Sequence, residues 1–192
     1  GADNRYGAEN HTVHGETASK EWRYESIDRN GGVTTLTLTM DATERPGTVT
    51  KRVSLVEGHN FVYQSHRITG FAGPTTLGHH AILAAETPLA LSTAPLRFGL
   101  TDAAGPAHYA DGEYFSIRRE QRFDDLSRVP TVWSDEATTD ASRFPAREGF
   151  VDIVQVVPDY AGGIGWFAAV AAEQGWMWFA LKDATMQPTT VL

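Results

Sequence analysis

The sequence predicts an all-β protein, in the form of a large antiparallel two-sheet β-sandwich. Apolar and polar residues alternate with a period of two in several runs. These runs are rich in β-branched and aromatic residues, and turns containing Gly or Pro separate them at close spacing. The 192 residues suffice for one domain with a sizeable core. We therefore expect residues 1–192 to form a single β-sandwich domain.

The first four predicted strands form an antiparallel meander. In the clearest of them Val and Thr alternate with Leu and Met, directly after the hairpin signal Asn30-Gly31-Gly32. A second turn, Arg45-Pro46-Gly47, separates the next pair. Because the connections are short, each strand is expected to pair with the next. The four runs are residues 21–27, 33–40, 47–57 and 60–69.

The middle of the chain predicts short strands and long connections, since residues 87–114 are interrupted by Pro and Gly. Residues 121–149 are polar and contain prolines, which is typical of a long surface excursion. Strands resume at 149–158, 164–173 and 176–183. The Ala-rich run 164–173 could be a helix, but the turns Gly162-Gly163 and Gln174-Gly175 favour a hairpin.

Composition excludes several classes of partner. The chain carries 24 acidic and 16 basic residues, a net charge of −8, which disfavours binding to nucleic acid or an anionic membrane. It has no cysteine and no apolar run near the ~20 residues of a membrane span. Without a signal-peptide pattern, a cytoplasmic location is favoured. The chain lacks an initiator Met and stops within a predicted strand, so we expect a segment of a longer protein.

Familiar catalytic motifs are missing from the sequence. The seven histidines show no spacing of the His-Glu-x-x-His kind, so neither a metal nor another cofactor is expected. P-loop, dinucleotide-binding and Gly-x-Ser-x-Gly patterns are absent too. Two segments do stand out. One is His14-Gly15 followed by Trp22, and the other is Gly78-His79-His80 in a small apolar run.

In this order the two segments resemble motifs of the galactose mutarotase-like superfamily, the aldose 1-epimerases and their relatives. Members carry a His-Gly element followed by a Trp at a strand start, and later a small residue before a His on another strand. The final residues 176–192 resemble the late-strand segment of these proteins. The resemblance covers most of the chain. It implies a supersandwich fold, a small-molecule sugar on its concave face and isomerase chemistry without a cofactor.

The resemblance also implies roles for individual residues. His80 would be the acid that protonates the ring oxygen, and His14 would bind the sugar. His79 would lie on the opposite face of the same strand, and a register shift of one would exchange the two roles. Trp22 is a candidate platform for the sugar ring, since aromatic faces stack on the C–H faces of sugars. Arg67 could donate to sugar hydroxyls or simply cover the sheet edge.

The family's base is a late Glu beyond a strand that matches the end of this chain. The nearest substitutes here are Asp152, Asp159 and Glu173. The leading prediction is thus a mutarotase-like aldose 1-epimerase, with a non-catalytic carbohydrate-binding β-sandwich as the alternative and a structural β-sandwich as a third reading. A further platform candidate is Trp133, whereas three tryptophans in apolar strands are predicted to be core, namely Trp166, Trp176 and Trp178.

Overall fold

The computed structural model describes residues 5–12, 14–73, 77–103, 114–159 and 163–192. The predicted all-β class is confirmed, because 49% of the described residues are in strands, 4% are helical and the sheets are antiparallel. The supersandwich form stays a prediction. The chain divides into two compact units, residues 1–76 and 77–192. The single domain over residues 1–192 stays a prediction.

The described residues of the first unit form one large sheet, a short hairpin and one 3-10 helix at Glu16–Ala18. Its strands are β1 (Arg5–Tyr6), β2 (Glu9–Asn10), β3 (Arg23–Asn30), β4 (Val33–Ala42), β5 (Gly47–Val56) and β6 (Val62–Thr69).

The large sheet has the order β3-β4-β5-β6 with every neighbouring pair antiparallel, which confirms the predicted meander. Gly31 and Gly32 take positive φ angles of 56° and 77° in the β3–β4 turn, a backbone conformation that glycine adopts without steric cost. A register shift between Tyr24 and Ser26 marks a β-bulge in β3.

Alternation along the strands gives this sheet two unlike faces. Leu36, Leu38 and Met40 share one face with Val49 and Val53 of the neighbouring strand, and Met40 and Val49 are buried. The opposite face, called the polar face below, carries hydroxyl and charged side chains instead. Its members on β4, β5 and β6 include Thr35, Thr37, Thr39, Thr50, Arg52, Ser54, Tyr63, Ser65 and Arg67.

The second unit contains a 3-10 helix at Leu126–Arg128 and ten described strands. They are β7 (Leu89–Thr93), β8 (Leu96–Thr101), β9 (Arg122–Phe123), β10 (Val129–Pro130), β11 (Thr138–Thr139), β12 (Arg143–Phe144), β13 (Val154–Pro158), β14 (Ile164–Ala171), β15 (Trp176–Asp183) and β16 (Thr190–Val191).

Two four-stranded sheets, β12-β7-β14-β15 and β16-β13-β8-β9, form most of this unit, and β10 pairs with β11. The Ala-rich run is strand β14 and pairs with β15, so the hairpin prediction is confirmed. Gly175 takes a positive φ of 71° in the connecting turn, whereas Gly162 lies outside the described residues. Leu192 packs against both apolar clusters of the unit and thereby links the two sheets.

The predicted surface excursion of residues 121–149 is only partly at the surface. Phe123, Leu126 and Val129 are buried in one apolar cluster with Val154 and Val156 of β13. They recur at every third residue around the 3-10 helix, so the turn directs them to one side. The Asp125 carboxylate caps this helix by accepting from the Ser127 N–H at 2.8 Å. Residues 104–113, part of the looser middle region, lie outside the described residues.

The tryptophans of the β14–β15 hairpin do not all lie in the core. Trp176 and Trp178 pack partly buried against the cluster of Leu89, Phe167 and Ala169, as expected. Trp166 is 38% exposed, so its assignment to the core is wrong. The physical reason is alternation, which places Trp166 on the opposite face of the strand from Phe167.

Within the described part of the chain, no helix is long and apolar enough to cross a membrane.

Candidate functional site

The histidine pair lies in an extended segment that is not a strand. Residues 77–85 lack strand pairing and precede β7, and both His79 and His80 are exposed. The prediction of a strand here is wrong. The run offers neither alternation nor β-branched residues, apart from Ile82, to favour a ladder. The argument that the two imidazoles must point to opposite faces of a strand therefore does not apply.

The His79 ring stacks on the Trp178 indole of β15, with centroids 6.4 Å apart and planes inclined at 25°. Trp178 in turn contacts the Phe167 ring of β14, at 5.9 Å between centroids. Phe167 is buried, so its ring restrains the Trp178 indole that packs against it. The β14–β15 hairpin thus holds His79 against a rigid aromatic support, and His80 follows it in an exposed position.

The first motif segment begins a tight turn in the first unit. His14 and Gly15 take positive φ angles of 62° and 77°, and the 3-10 helix Glu16–Ala18 follows. His14 is exposed. A left-handed conformation is uncommon for a residue with a side chain, so neighbouring contacts must hold this turn in place.

Glu16 supplies those contacts. Its carboxylate accepts hydrogen bonds from the Thr43 N–H at 2.9 Å, the Thr43 hydroxyl at 2.6 Å and the Glu44 N–H at 3.2 Å, and it pairs with Lys20. Burial alone would raise the pKa of Glu16, but these bonds, from Lys20 foremost, lower it from 4.5 to about 2. The His-Gly segment is thus tied to the β4–β5 turn, a role that sequence reasoning missed.

Trp22 lies against two basic side chains on one face of the meander. Its ring centroid is 6.5 Å from that of His66, and the Lys51 Nζ lies 5.6 Å from the same ring. Lys51 and His66 are direct partners across β5 and β6. Sequence reasoning did not find this cluster, although correct pairing of the two predicted strands would have placed Lys51 opposite His66.

Arg67 does not share that surface with Trp22. It follows His66 on β6 and is paired with Thr50, so its side chain points to the polar face. The structure therefore places Trp22 and Arg67 on opposite faces of one sheet. His14, Trp22 and Arg67 belong to the first unit, and His79 and His80 belong to the second. The sugar-binding and catalytic roles of all five residues stay predictions.

Three carboxylates were named as substitutes for the catalytic base, and the structure gives the surroundings of each. Asp152 accepts hydrogen bonds from the Ser116 N–H at 2.7 Å and the Ile117 N–H at 3.1 Å, and also from the Ser116 hydroxyl. Ser116 is fully buried, so Asp152 satisfies polar groups that have no access to water. Glu173 is exposed in the β14–β15 turn, and the Asp159 N–H donates to the Pro95 carbonyl at 2.7 Å.

The remaining candidate platform, Trp133, is held in a cluster of its own. The Arg147 guanidinium lies 4.4 Å from the Trp133 ring centroid, and Phe150 contacts the same ring edge-on at 5.5 Å. Arg147 also pairs with Glu136. These contacts fold the end of the polar excursion back on itself and cover much of the indole.

Histidine and carboxylate side chains do not gather into a metal centre. Among the described residues, no group of three or more metal-ligating side chains lies close enough to hold an ion. The Glu9 carboxylate is hydrogen-bonded to His11 at 2.9 Å and accepts from the Arg45 Nε, and these bonds, with His11 foremost, lower the pKa of Glu9. His108 lies outside the described residues.

Comparison of the chain with protein-family models, with curated proteins and with solved structures finds no match.

Proposed function

We propose that the chain binds an aldose and acts as an aldose 1-epimerase or a close relative of one, on a galactose mutarotase-like supersandwich. The observation that carries the proposal is the exposed pair His79–His80, with the His79 ring stacked on Trp178. This pair is also the segment in which the sequence resembles the second family motif. His14 and Trp22 of the first unit are included on the resemblance.

The chemistry of the pair suits a sugar. Aromatic rings bury the C–H faces of a pyranose with little loss of entropy, and imidazole nitrogens donate to or accept from hydroxyls. An imidazole also changes charge near neutral pH, which makes it an effective general acid under ordinary conditions. The rigid support beneath His79 reduces the entropy lost when a ligand is held there.

Interconversion of anomers would proceed by opening of the sugar ring. A base removes the proton of the anomeric hydroxyl while His80 donates a proton to the ring oxygen, and the ring C–O bond breaks. The open aldehyde then recloses on either face, with both protons returned. His80 is the proposed acid, and the step requires a carboxylate placed to act as base.

Non-catalytic carbohydrate binding is the second candidate, and the position of Asp152 favours it. Asp152 is engaged by two backbone N–H groups and one hydroxyl, and Glu173 is exposed in a turn. Among the described residues, no hydrogen bond or ion pair joins Asp152 or Glu173 to the histidine pair. A sugar-binding surface without turnover would need no base.

Titration with galactose and glucose, followed by NMR, tests the binding proposal. We expect amide shifts around residues 77–83, with weaker binding in His79→Ala and His80→Ala. His59→Ala, in a turn of the first unit, is the matched control. Polarimetry of freshly dissolved α-galactose then separates the two candidates, since only an epimerase accelerates mutarotation above the rate in water. If no hexose binds to the wild-type chain, both candidates fail.

A further inference from the structure

Two arginines lie next to each other on the polar face of the meander. Arg52 of β5 is opposite Ser65 of β6, and Arg67 of β6 is opposite Thr50 of β5. The two are therefore diagonal neighbours, with Cβ atoms roughly 7–8 Å apart. Both side chains are exposed, and their length allows the guanidinium groups to converge on one small molecule.

The guanidinium groups of Arg52 and Arg67 differ from those of two other arginines in the unit. Arg23 pairs with Asp41 at 2.7 Å, and Arg45 pairs with Glu9 at 2.9 Å. Within the described part of the chain, the guanidinium groups of Arg52 and Arg67 make no hydrogen bond or ion pair. The chain has 24 acidic and 16 basic residues, so it contains enough carboxylates to form an ion pair with every basic side chain. Neighbouring like charges on a sheet face repel, and a bound anion would remove this repulsion.

Hydroxyl groups surround Arg52, the arginine nearer the centre of the sheet. Arg52 lines a shallow depression together with Asp28 and four residues that carry short hydroxyl side chains, namely Thr35, Thr37, Ser54 and Ser65. The Thr35 and Ser54 hydroxyls are hydrogen-bonded to each other at 2.8 Å, which orders the floor of the depression. Short side chains leave this floor open, and Asp28 could accept from ligand hydroxyls.

We propose that the polar face around Arg52 and Arg67 binds an oxyanion carried by a small hydroxylated molecule, such as the carboxylate or phosphate of an acidic sugar. Guanidinium groups bind carboxylates and phosphates through paired, charge-assisted hydrogen bonds. The hydroxyls and Asp28 would bind the rest of the ligand. Two arginines in a chain of net charge −8 provide too little positive charge for a polyanion such as nucleic acid. This proposal uses none of the residues of the histidine pair and does not rest on the proposed function.

The test is an NMR titration of the full chain with inorganic phosphate, galacturonate, glucose 6-phosphate and neutral galactose. We expect the three anions to shift amides of residues 50–54 and 63–67, and the two acidic sugars to bind more tightly than phosphate. Arg52→Ala and Arg67→Ala should each weaken binding about tenfold. Arg29→Ala is the control, because it removes the same charge from the opposite face of the sheet.

Three results would overturn the proposal. One is the absence of any shift at these amides with all three anions. Another is an equal loss of affinity in Arg29→Ala and Arg52→Ala, which would mean that net charge alone attracts the anion. The third is equal affinity for phosphate and for both acidic sugars, which would leave the hydroxyls without a role. His80→Ala should leave anion binding unchanged, so the outcome is distinguishable from failure of the hexose site.

Discussion

The carboxylate of Glu16 receives both the N–H and the hydroxyl of Thr43, at 2.9 and 2.6 Å. This relationship joins the turn that carries His14 and Gly15 to the connection between β4 and β5. The side chain of Glu16 is only 11% exposed, although its partners Thr43 and Glu44 lie at the surface. The position of the first motif therefore depends on Glu16, which lies between its His-Gly element and Trp22.

We expect Glu16→Gln to destabilise the chain by about 2 kcal/mol at neutral pH, because a charged acceptor of several bonds is lost. The pKa of Glu16 is lowered from 4.5 to about 2 in the folded chain. The contribution of the Glu16 carboxylate to the free energy of unfolding is therefore complete above pH 4.5 and disappears as the pH falls towards 2. Urea unfolding, followed by circular dichroism at several pH values, measures the difference between wild type and variant.

The charge-matched control for this experiment is Glu21→Gln, which alters an exposed carboxylate nearby in sequence. Its free energy of unfolding should stay within about 0.5 kcal/mol of the wild-type value. A gap between wild type and Glu16→Gln that persists unchanged at pH 2 would contradict the assigned pKa.

Asp152→Ala should destabilise the second unit by about 3 kcal/mol, because the buried N–H groups of Ser116 and Ile117 lose their acceptor. Thermal unfolding followed by circular dichroism measures this loss. Glu173→Ala, in the exposed turn, should change stability by no more than about 0.5 kcal/mol. If Asp152→Ala abolished mutarotation while stability remained normal, Asp152 would be the base and its structural role would be wrong.

The meander was predictable from the sequence because its determinants are local. Alternation in residues 33–40 and glycines at 31 and 32 fix both the strand and the turn before any distant contact forms. The Ala-rich strand β14 was predictable for the same reason, since turn residues precede and follow it in the sequence.

The candidate site was much less predictable, because its contacts join residues far apart in sequence. Nothing near His79 indicates that its ring meets Trp178, and nothing near Trp22 indicates Lys51 or His66. The buried residues of the polar excursion were missed because Leu126 and Val129 stand among charged neighbours. Contacts with residues distant in the sequence bury these side chains, and the local sequence pattern does not indicate such contacts.

Gly99→Ala should destabilise the second unit, because a Cβ at this position of β8 would overlap the ring of Phe123 on the paired strand β9. Phe123 is buried in the apolar cluster and cannot move freely, so we expect a loss of about 1–3 kcal/mol in thermal unfolding. The double variant with Phe123→Leu provides the internal check, since a smaller side chain makes room for the added methyl group. Additive losses in the double variant would mean that Gly99 is required for another reason.

The Trp178 indole supports His79, and this predicts that the two faces of the β14–β15 hairpin respond differently to substitution. Trp178→Leu should weaken hexose binding about five- to tenfold, because the ring on which His79 rests is lost. Trp166 is the matched control: it lies on the opposite face of the same hairpin, paired with Leu181, so Trp166→Leu should leave binding unchanged. Since Trp178 also packs against the core, Trp178→Phe provides a variant that retains an aromatic ring above Phe167. Isothermal titration calorimetry with galactose measures all three variants, and thermal unfolding confirms that each is folded. Equal loss of binding in Trp166→Leu and Trp178→Leu would remove the stacked pair from the sugar-binding surface and with it the main support for the proposed function.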